Sequence, residues 1–174
     1  SEIMYNPVSG NQDEEYIELL NISDSVVTLA EYDNELLIDV PWRFADDSNG
    51  ITFDFPLGTT MAPGRYLLLV KDLTAFESAY SDIADGLQIF EWGSGRLSNA
   101  GEKIQLSKPG DQVESTRYYI RTDRVNYSDG SHPAGDDPWP ADPDGQGKSL
   151  ARKVLADYGN DPENWIAANP SPGR

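Results

Sequence analysis

Short apolar segments recur along the chain and are separated by polar turns that contain glycine and proline. Residues 15–22 and 26–32 are two such segments, and the short polar turn between them predicts a β-hairpin. Residues 51–55 alternate apolar and polar positions, which indicates a strand with one buried face. The unbroken apolar run at residues 66–70 predicts a central strand that is buried on both faces. This pattern is typical of an all-β protein.

The second half of the chain continues the pattern of short strands. Residues 108–111, Lys-Pro-Gly-Asp, predict a turn between two of these strands. Residues 128–148 are dominated by Asp, Gly and Pro, so we expect a long irregular connection there. Residues 149–154 are expected to form the last strand. The other predicted strands are residues 87–90, 102–106, 113–120 and 124–127.

One short helix is predicted at residues 74–80. Thr74 precedes Glu77 by three positions, which is the spacing of a capping box at the start of a helix. Phe76 and Tyr80 are four residues apart and therefore lie on the same helix face.

A chain of 174 residues buries about two thirds of its unfolded surface when it folds around one core. We therefore expect a single domain over residues 1–174, with a core at about 1–158 and a C-terminal tail at 159–174. Trp165 and Ile166 in that tail are expected to fold back onto the core. The chain opens in what is interpreted as a strand and closes in linker-like composition, so we interpret it as a domain excised from a larger multidomain protein.

The charge balance narrows the classes of partner. Asp and Glu number 30 against 13 Lys and Arg, which gives a formal net charge of −17. Nucleic-acid affinity relies on cations that replace phosphate counterions, so we expect neither nucleic acid nor anionic lipid as a partner. Such a surface suits divalent cations or basic partners. No apolar run approaches the roughly 20 residues needed to cross a bilayer, so we expect no membrane insertion.

Several motifs occur in an order that resembles the lamin tail domain, the immunoglobulin-like module of nuclear lamins that also occurs in secreted bacterial proteins. The run Trp-Gly-Ser-Gly followed by Leu-Ser-Asn and Gly-Glu, at residues 92–102, is the most specific of them. Tyr32 departs from the pattern by standing where the family usually carries Trp, and residues 34–49 resemble an inserted connection. The other matching motifs are at residues 1–7, 15–21, 53–66, 138–140, 144–150 and 164–165.

The resemblance implies an all-β, immunoglobulin-like β-sandwich of seven to ten strands, with one short helix and a long C-terminal loop rich in Asp, Gly and Pro. It also implies a family with no known active site. We therefore expect a non-enzymatic accessory or interaction module of a secreted or cell-surface bacterial protein, serving adhesion, attachment or domain organisation. The expected partner is a protein or a surface polysaccharide, and the isolated domain is expected to be monomeric.

The long loop provides a candidate ion site. Calcium takes six to eight oxygen ligands from a chain that bends tightly, and closely spaced Asp and Gly residues supply both requirements. The alternative is that these carboxylates cap turns in their own backbone. Residues 46–50, Asp-Asp-Ser-Asn-Gly, present the same choice, and there we favour a turn. The candidate Ca²⁺ ligands of the long loop are Asp129, Asp136, Asp137, Asp142 and Asp144.

Trp139 stands between two prolines in the same loop and is a candidate platform for stacking against a sugar ring. The same Pro-Trp-Pro sequence can instead pin the loop onto the sandwich, and we favour the pin. Sugar stacking together with calcium gives the alternative function, a Ca²⁺-stabilised carbohydrate-binding module.

Catalytic residues are scarce, and we expect no enzyme. The chain contains no Cys, and His132 is its only histidine, which excludes cysteine nucleophiles and hydrolytic metal sites built from several histidines. A Ser–His–Asp arrangement would have to combine His132 with Ser131 and Asp129 in a polar loop, without a nucleophile-elbow Ser. A carboxylate-based hydrolase is the more distant alternative, because so many acidic residues contain suitable pairs by chance.

Overall fold

A computed structural model describes residues 1–47, 50–133 and 135–174 of the protein. The described residues contain one α-helix, α1 (Leu73–Ala79), and two single-turn 3-10 helices, Gln12–Glu14 and Pro162–Asn164. In chain order the strands are β1 (Glu2–Met4), β2 (Tyr16–Leu20), β3 (Val27–Thr28), β4 (Ala30–Asp33), β5 (Ile38–Pro41), β6 (Arg43–Asp46), β7 (Thr52–Asp54), β8 (Thr60–Met61), β9 (Tyr66–Val70), β10 (Gln88–Glu91), β11 (Gly101–Val113), β12 (Thr116–Ser128), β13 (Ser149–Arg152) and β14 (Trp165–Ala168).

Two sheets enclose the main core. A six-stranded sheet has the order β10-β9-β2-β1-β13-β14, and a four-stranded sheet has the order β12-β11-β6-β7. Ile17 and Leu69 of the first sheet and Phe44 and Ile104 of the second belong to one buried cluster. Two further strand pairs, β3–β8 and β4–β5, lie outside these sheets. The predicted all-β, immunoglobulin-like sandwich with one short helix is confirmed.

Strand β9 is central, as its continuous apolar run predicts. It lies between β10, to which it is parallel, and β2, to which it is antiparallel. Leu67 and Leu69 face the main core. Leu68 and Val70 alternate to the opposite face and pack with Phe76 of α1 in a second cluster. Both faces of the strand are therefore covered, which explains why its sequence lacks polar positions.

The hairpin predicted between residues 15–22 and 26–32 is wrong. β2 pairs with β1 and β9, whereas β3 pairs with β8. Asn21 redirects the chain at the end of β2, because its side chain donates to the carbonyls of Ser25 and Met61 and accepts the backbone N–H of Ser23. The polar turn therefore leaves the sheet instead of folding back along it.

The turn predicted at residues 108–111 is also wrong, since β11 continues through Pro109 and Gly110. β6 pairs with β11 no further than the Arg43–Ser107 pair, so Pro109 lies in a part of β11 that has β12 as its only strand neighbour among the described residues. A bulge between Pro109 and Gln112 absorbs the irregularity. β11 and β12 consequently form a ribbon that extends beyond the four-stranded sheet.

The predicted helix is confirmed, but its start differs from the prediction. Asp72, and not Thr74, is the N-cap, and its side chain accepts the backbone N–H of Ala75 at 2.9 Å. Phe76 is fully buried.

Residues after 158 contribute to the six-stranded sheet. β13 is a strand as predicted, but it is not the last one, because β14 pairs with it along Ser149–Arg152. Trp165 is buried as expected, while Ile166 is 43% exposed. Beyond β14, the backbone N–H groups of Ser171 and Gly173 donate to the carboxylates of Glu2 and Glu18. The segment expected to be a tail therefore covers two buried acidic side chains.

The turn expected at residues 46–50 lies partly outside the described residues, because Ser48 and Asn49 are not among them. The carboxylate of Asp46, which precedes that gap, accepts the backbone N–H groups of Gly50 and Ile51, which follow it, at 3.0 and 2.9 Å.

Candidate functional site

The connection between β12 and β13 contains all five candidate calcium ligands and is irregular, as predicted. Asp129 accepts the backbone N–H of Ser131 at 2.8 Å and contacts Nδ1 of His132 at 2.9 Å. Asp137 accepts the hydroxyl of Ser128 and the backbone N–H groups of His132 and Trp139. These two carboxylates cap turns of the loop.

Hydrogen bonding keeps both capping carboxylates ionised. Burial alone would raise the pKa of Asp129, but the hydroxyl and backbone N–H of Ser131, together with His132, lower it below its ordinary value. The pKa of Asp137 is lowered in the same way, because bonds from Ser128, Trp139 and His132 outweigh burial.

The other three candidate ligands have different surroundings. Asp144 accepts the side-chain N–H of Asn6 at 2.6 Å, whereas Asp136 and Asp142 are exposed. In the part of the chain that the structure describes, no three His, Asp or Glu side chains are grouped so that they could hold a metal ion. The five aspartates predicted as one calcium site are therefore not brought together as a ligand set.

One unusual polar group lies beside this loop. Tyr5 is fully buried, and its hydroxyl has no hydrogen-bond partner among the described residues. Burial raises its pKa, and the charges of Asp144, Asp129 and Asp137 raise it further. The phenol is therefore neutral and stands within the field of three carboxylates.

Ser131, His132 and Asp129 are in contact, but they do not form a catalytic triad. The hydroxyl of Ser131 lies 3.0 Å from Nδ1 of His132, and the carboxylate of Asp129 lies 2.9 Å from the same nitrogen. A triad requires the serine and the carboxylate on opposite ring nitrogens, so that the imidazole can pass a proton between them. Here the two groups compete for one nitrogen.

Trp139 does not present a stacking platform. Its ring is 8% exposed, belongs to the main core and lies 6.2 Å from the ring of Trp165. The structure corrects the sugar-stacking prediction at this residue, because the flanking prolines direct the ring inward, as the favoured pin requires. The loop is thereby held against the sandwich.

A groove of about 680 Å³ separates two projecting hairpins. One is the β4–β5 hairpin, and the other is the end of the β11–β12 ribbon, residues 108–120; together we call them the paired-hairpin surface. Arg117 of the ribbon and Asp33 of the other hairpin form an ion pair at 2.6 Å, with side chains only 15% and 12% exposed. Hydrogen bonds from the N–H of Leu36 and from Arg117 lower the pKa of Asp33. This ion pair therefore holds the two hairpins against each other.

Large apolar side chains are unusually exposed on this surface. Leu37 is 70% exposed and adopts a left-handed backbone conformation at the tip of the β4–β5 hairpin, with φ of 57°. The other exposed apolar side chains of the two hairpins are 45–57% exposed and are Tyr32, Leu36, Ile38, Val113, Tyr118 and Ile120.

Sequence reasoning missed this surface. The apolar run at residues 36–38 falls in the segment interpreted as an insertion, and residues 113–120 were predicted as an ordinary strand. An apolar run next to a predicted insertion is the signal that could have indicated it, because inserted segments lie at the surface.

A second concavity of about 420 Å³ opens between the sheets. Leu29, Trp42 and Met61 line its apolar wall. Arg152 and Asp123 form an ion pair at 2.7 Å at its rim. This cavity is continuous with the core, because its three apolar wall residues belong to the main buried cluster.

In a comparison with protein families, the model of the Lamin Tail Domain family matches residues 1–121. Comparison with curated proteins gives no match. The matched part ends within β12, so β13 and β14 are contributed by residues beyond it. No helix in the described ranges is both long and apolar enough to span a membrane.

Proposed function

Because the chain belongs to the lamin tail domain family, we propose that it is a non-catalytic module that attaches a secreted or cell-surface bacterial protein to a partner. The family is immunoglobulin-like and is not known as enzymatic. Adhesion or attachment is the finer part of the proposal, and the paired-hairpin surface supports it.

The observation that carries the proposal is the concentration of exposed apolar side chains on two projecting hairpins. Exposed apolar groups cost free energy in water, and contiguous patches of them mark sites of interaction. Seven such side chains lie on the two hairpins, and three of them, Tyr32, Val113 and Ile120, line the groove between the hairpins. Their concentration on two hairpins that an ion pair joins favours contact with another molecule.

The contacts of His132 support the non-catalytic part of the proposal. Its side chain is 65% exposed, and its one bonded nitrogen is shared between Ser131 and Asp129. The geometry offers no relay from a base to a nucleophile.

The proposal is tested with a variant that removes apolar surface without disturbing the backbone. This hairpin variant combines Leu37→Asn with Tyr118→Thr. Asn is tolerated at the left-handed position of Leu37, and Thr keeps the β-propensity of Tyr118. A control variant, Val8→Thr with Leu57→Asn, alters two residues that are 71% and 59% exposed elsewhere. Retention on intact bacterial cells, glycan arrays and peptide arrays is then compared.

We expect the wild type and the control variant to be retained on one of these supports and the hairpin variant to lose retention. Equal retention of all three proteins would contradict the proposed role of the surface. Absence of retention on every support would contradict attachment itself.

Calcium remains an alternative component of the function, because a neutral buried phenol stands beside three carboxylates of the long loop. In that alternative, Asp129, Asp137 and Asp144 would have to leave part of their present hydrogen bonds to reach one ion, and the module binds a carbohydrate. A rise in melting temperature that Ca²⁺ produces and Mg²⁺ does not would support it.

A further inference from the structure

The charges on the paired-hairpin surface are strongly unbalanced. Lys108 and Arg117 are the cations lining the groove, and Arg117 is already paired with Asp33. Carboxylates outnumber these cations, and the exposed ones on the two hairpins are Glu31, Glu35, Asp39, Asp111 and Glu114.

Apolar and anionic groups therefore share one surface. We infer that this surface binds a cationic amphipathic segment of another protein, in which Lys or Arg side chains alternate with aliphatic ones. This inference rests on the proposed function and names the chemistry of the partner.

The two kinds of side chain would have separate tasks. Tyr32, Val113 and Ile120 line the groove and are each more than half exposed in the free protein, so their burial against aliphatic groups provides affinity. Carboxylates at the rim, such as Glu35 and Asp111, attract the cations and accelerate encounter. An anionic amphipathic segment would also bury aliphatic groups, but the carboxylates at the rim would repel it.

The groove has the dimensions and rigidity that such a segment requires. Its volume is about 680 Å³, enough for several aliphatic side chains. The Asp33–Arg117 pair fixes one hairpin against the other, and Arg117 also donates to the carbonyl of Gly110 at 2.8 Å. A surface fixed before binding loses little conformational entropy when the partner arrives.

The test uses synthetic 18-residue peptides of Leu and Lys, in a helical and in an alternating pattern, and the matching Leu–Glu peptides. Binding to the full chain is measured by calorimetry at low and at physiological salt. Because the whole protein is acidic, the charge variant Glu35→Gln with Asp111→Asn needs a control of equal charge change. Glu77→Gln with Asp85→Asn supplies it, since both residues are exposed and lie outside the groove.

We expect one Leu–Lys peptide to bind and neither Leu–Glu peptide to do so. The hairpin charge variant should weaken binding about tenfold and the control variant less than about twofold. Ile120→Thr, which removes apolar surface from the groove lining, should cause a further loss. An amide chemical-shift map of the wild type should cluster at residues 31–40 and 108–120, and this readout needs no variant.

If both charge variants weakened peptide binding equally, or if amide chemical-shift changes spread over the whole surface, net charge alone would explain the binding and the inference would be overturned. Dimers of the chain in sedimentation, lost in Leu37→Asn, would assign the surface to a second copy and overturn it as well. If the wild type is retained on glycans through this surface but binds no cationic peptide, the inference fails while the proposed attachment function stands.

Discussion

At the scale of single residues, the burial of Glu15 makes the stability of the fold depend on pH. It is fully buried, one carboxylate oxygen accepts the N–H of Leu97 at 2.8 Å, and the other has no partner among the described residues. Burial raises its pKa from the ordinary 4.5 to about 8, against the lowering effect of the Leu97 bond. Between these two values the folded state binds a proton that the unfolded state has released. Glu15 therefore reduces stability as pH rises through this window.

We expect Glu15→Gln to remove this pH dependence, because the amide oxygen can still accept the N–H of Leu97 and carries no charge. The variant should equal the wild type near pH 5 and exceed its unfolding free energy by on the order of 2–4 kcal/mol near pH 8. Urea denaturation at several pH values measures this difference, with Glu77→Gln on the exposed face of α1 as the control. Parallel curves for wild type and Glu15→Gln would contradict the assignment.

At the scale of elements, strands with clear alternation or continuous apolar runs were predictable, and their connections were not. β7 and β9 follow directly from their sequences because the periodicity reports burial. The turn of the β11–β12 ribbon does not, since Pro109 and Gly110 are tolerated in a strand only where β6 has already ended. Likewise, the spacing of aspartates indicated a polar loop, but only the fold shows that backbone N–H groups occupy Asp137.

The turn that does join β11 to β12 is formed by Glu114 and Ser115, and Glu114 has a φ of 54°. Two-residue hairpin turns with a positive φ at this first position usually carry glycine there. We expect Glu114→Gly to raise the unfolding free energy by about 1 kcal/mol, because relief of the left-handed conformation exceeds the added entropy of the unfolded chain. Ser115→Gly lacks that relief and should destabilise the protein. Thermal melting of both variants measures the effect, and a lower melting temperature for Glu114→Gly would contradict it.

At the scale of the whole molecule, a net charge of −17 opposes compaction. Described ion pairs such as Arg43–Asp54 and Arg117–Asp33 offset part of the repulsion. The remaining repulsion acts over distances that salt screens, so the melting temperature depends on ionic strength as well as on any bound ion.

We expect the melting temperature to rise between about 20 mM and about 0.5 M NaCl, because the Debye length falls well below the spacing of surface charges. Ca²⁺ and Mg²⁺ at about 1 mM and constant ionic strength then separate screening from binding. Equal melting temperatures in the two ions would eliminate the calcium alternative, whereas a gain specific to Ca²⁺ and absent in Asp137→Asn would support it. A melting temperature independent of NaCl would contradict the screening argument.

The position of β1 between β2 and β13 has a consequence for synthesis of the chain. β1 is made before both of its neighbours, and one of them, β13, is formed by residues far along the sequence. Glu2 and Ser149, whose side chains form a hydrogen bond, are 147 positions apart. During translation β1 and β2 therefore present an unpaired edge until β13 leaves the ribosome. Such an edge is a template for pairing with another nascent chain. The six-stranded sheet is therefore completed only after most of these residues have been synthesised. A chain truncated within the long loop should aggregate and should not form a smaller folded unit.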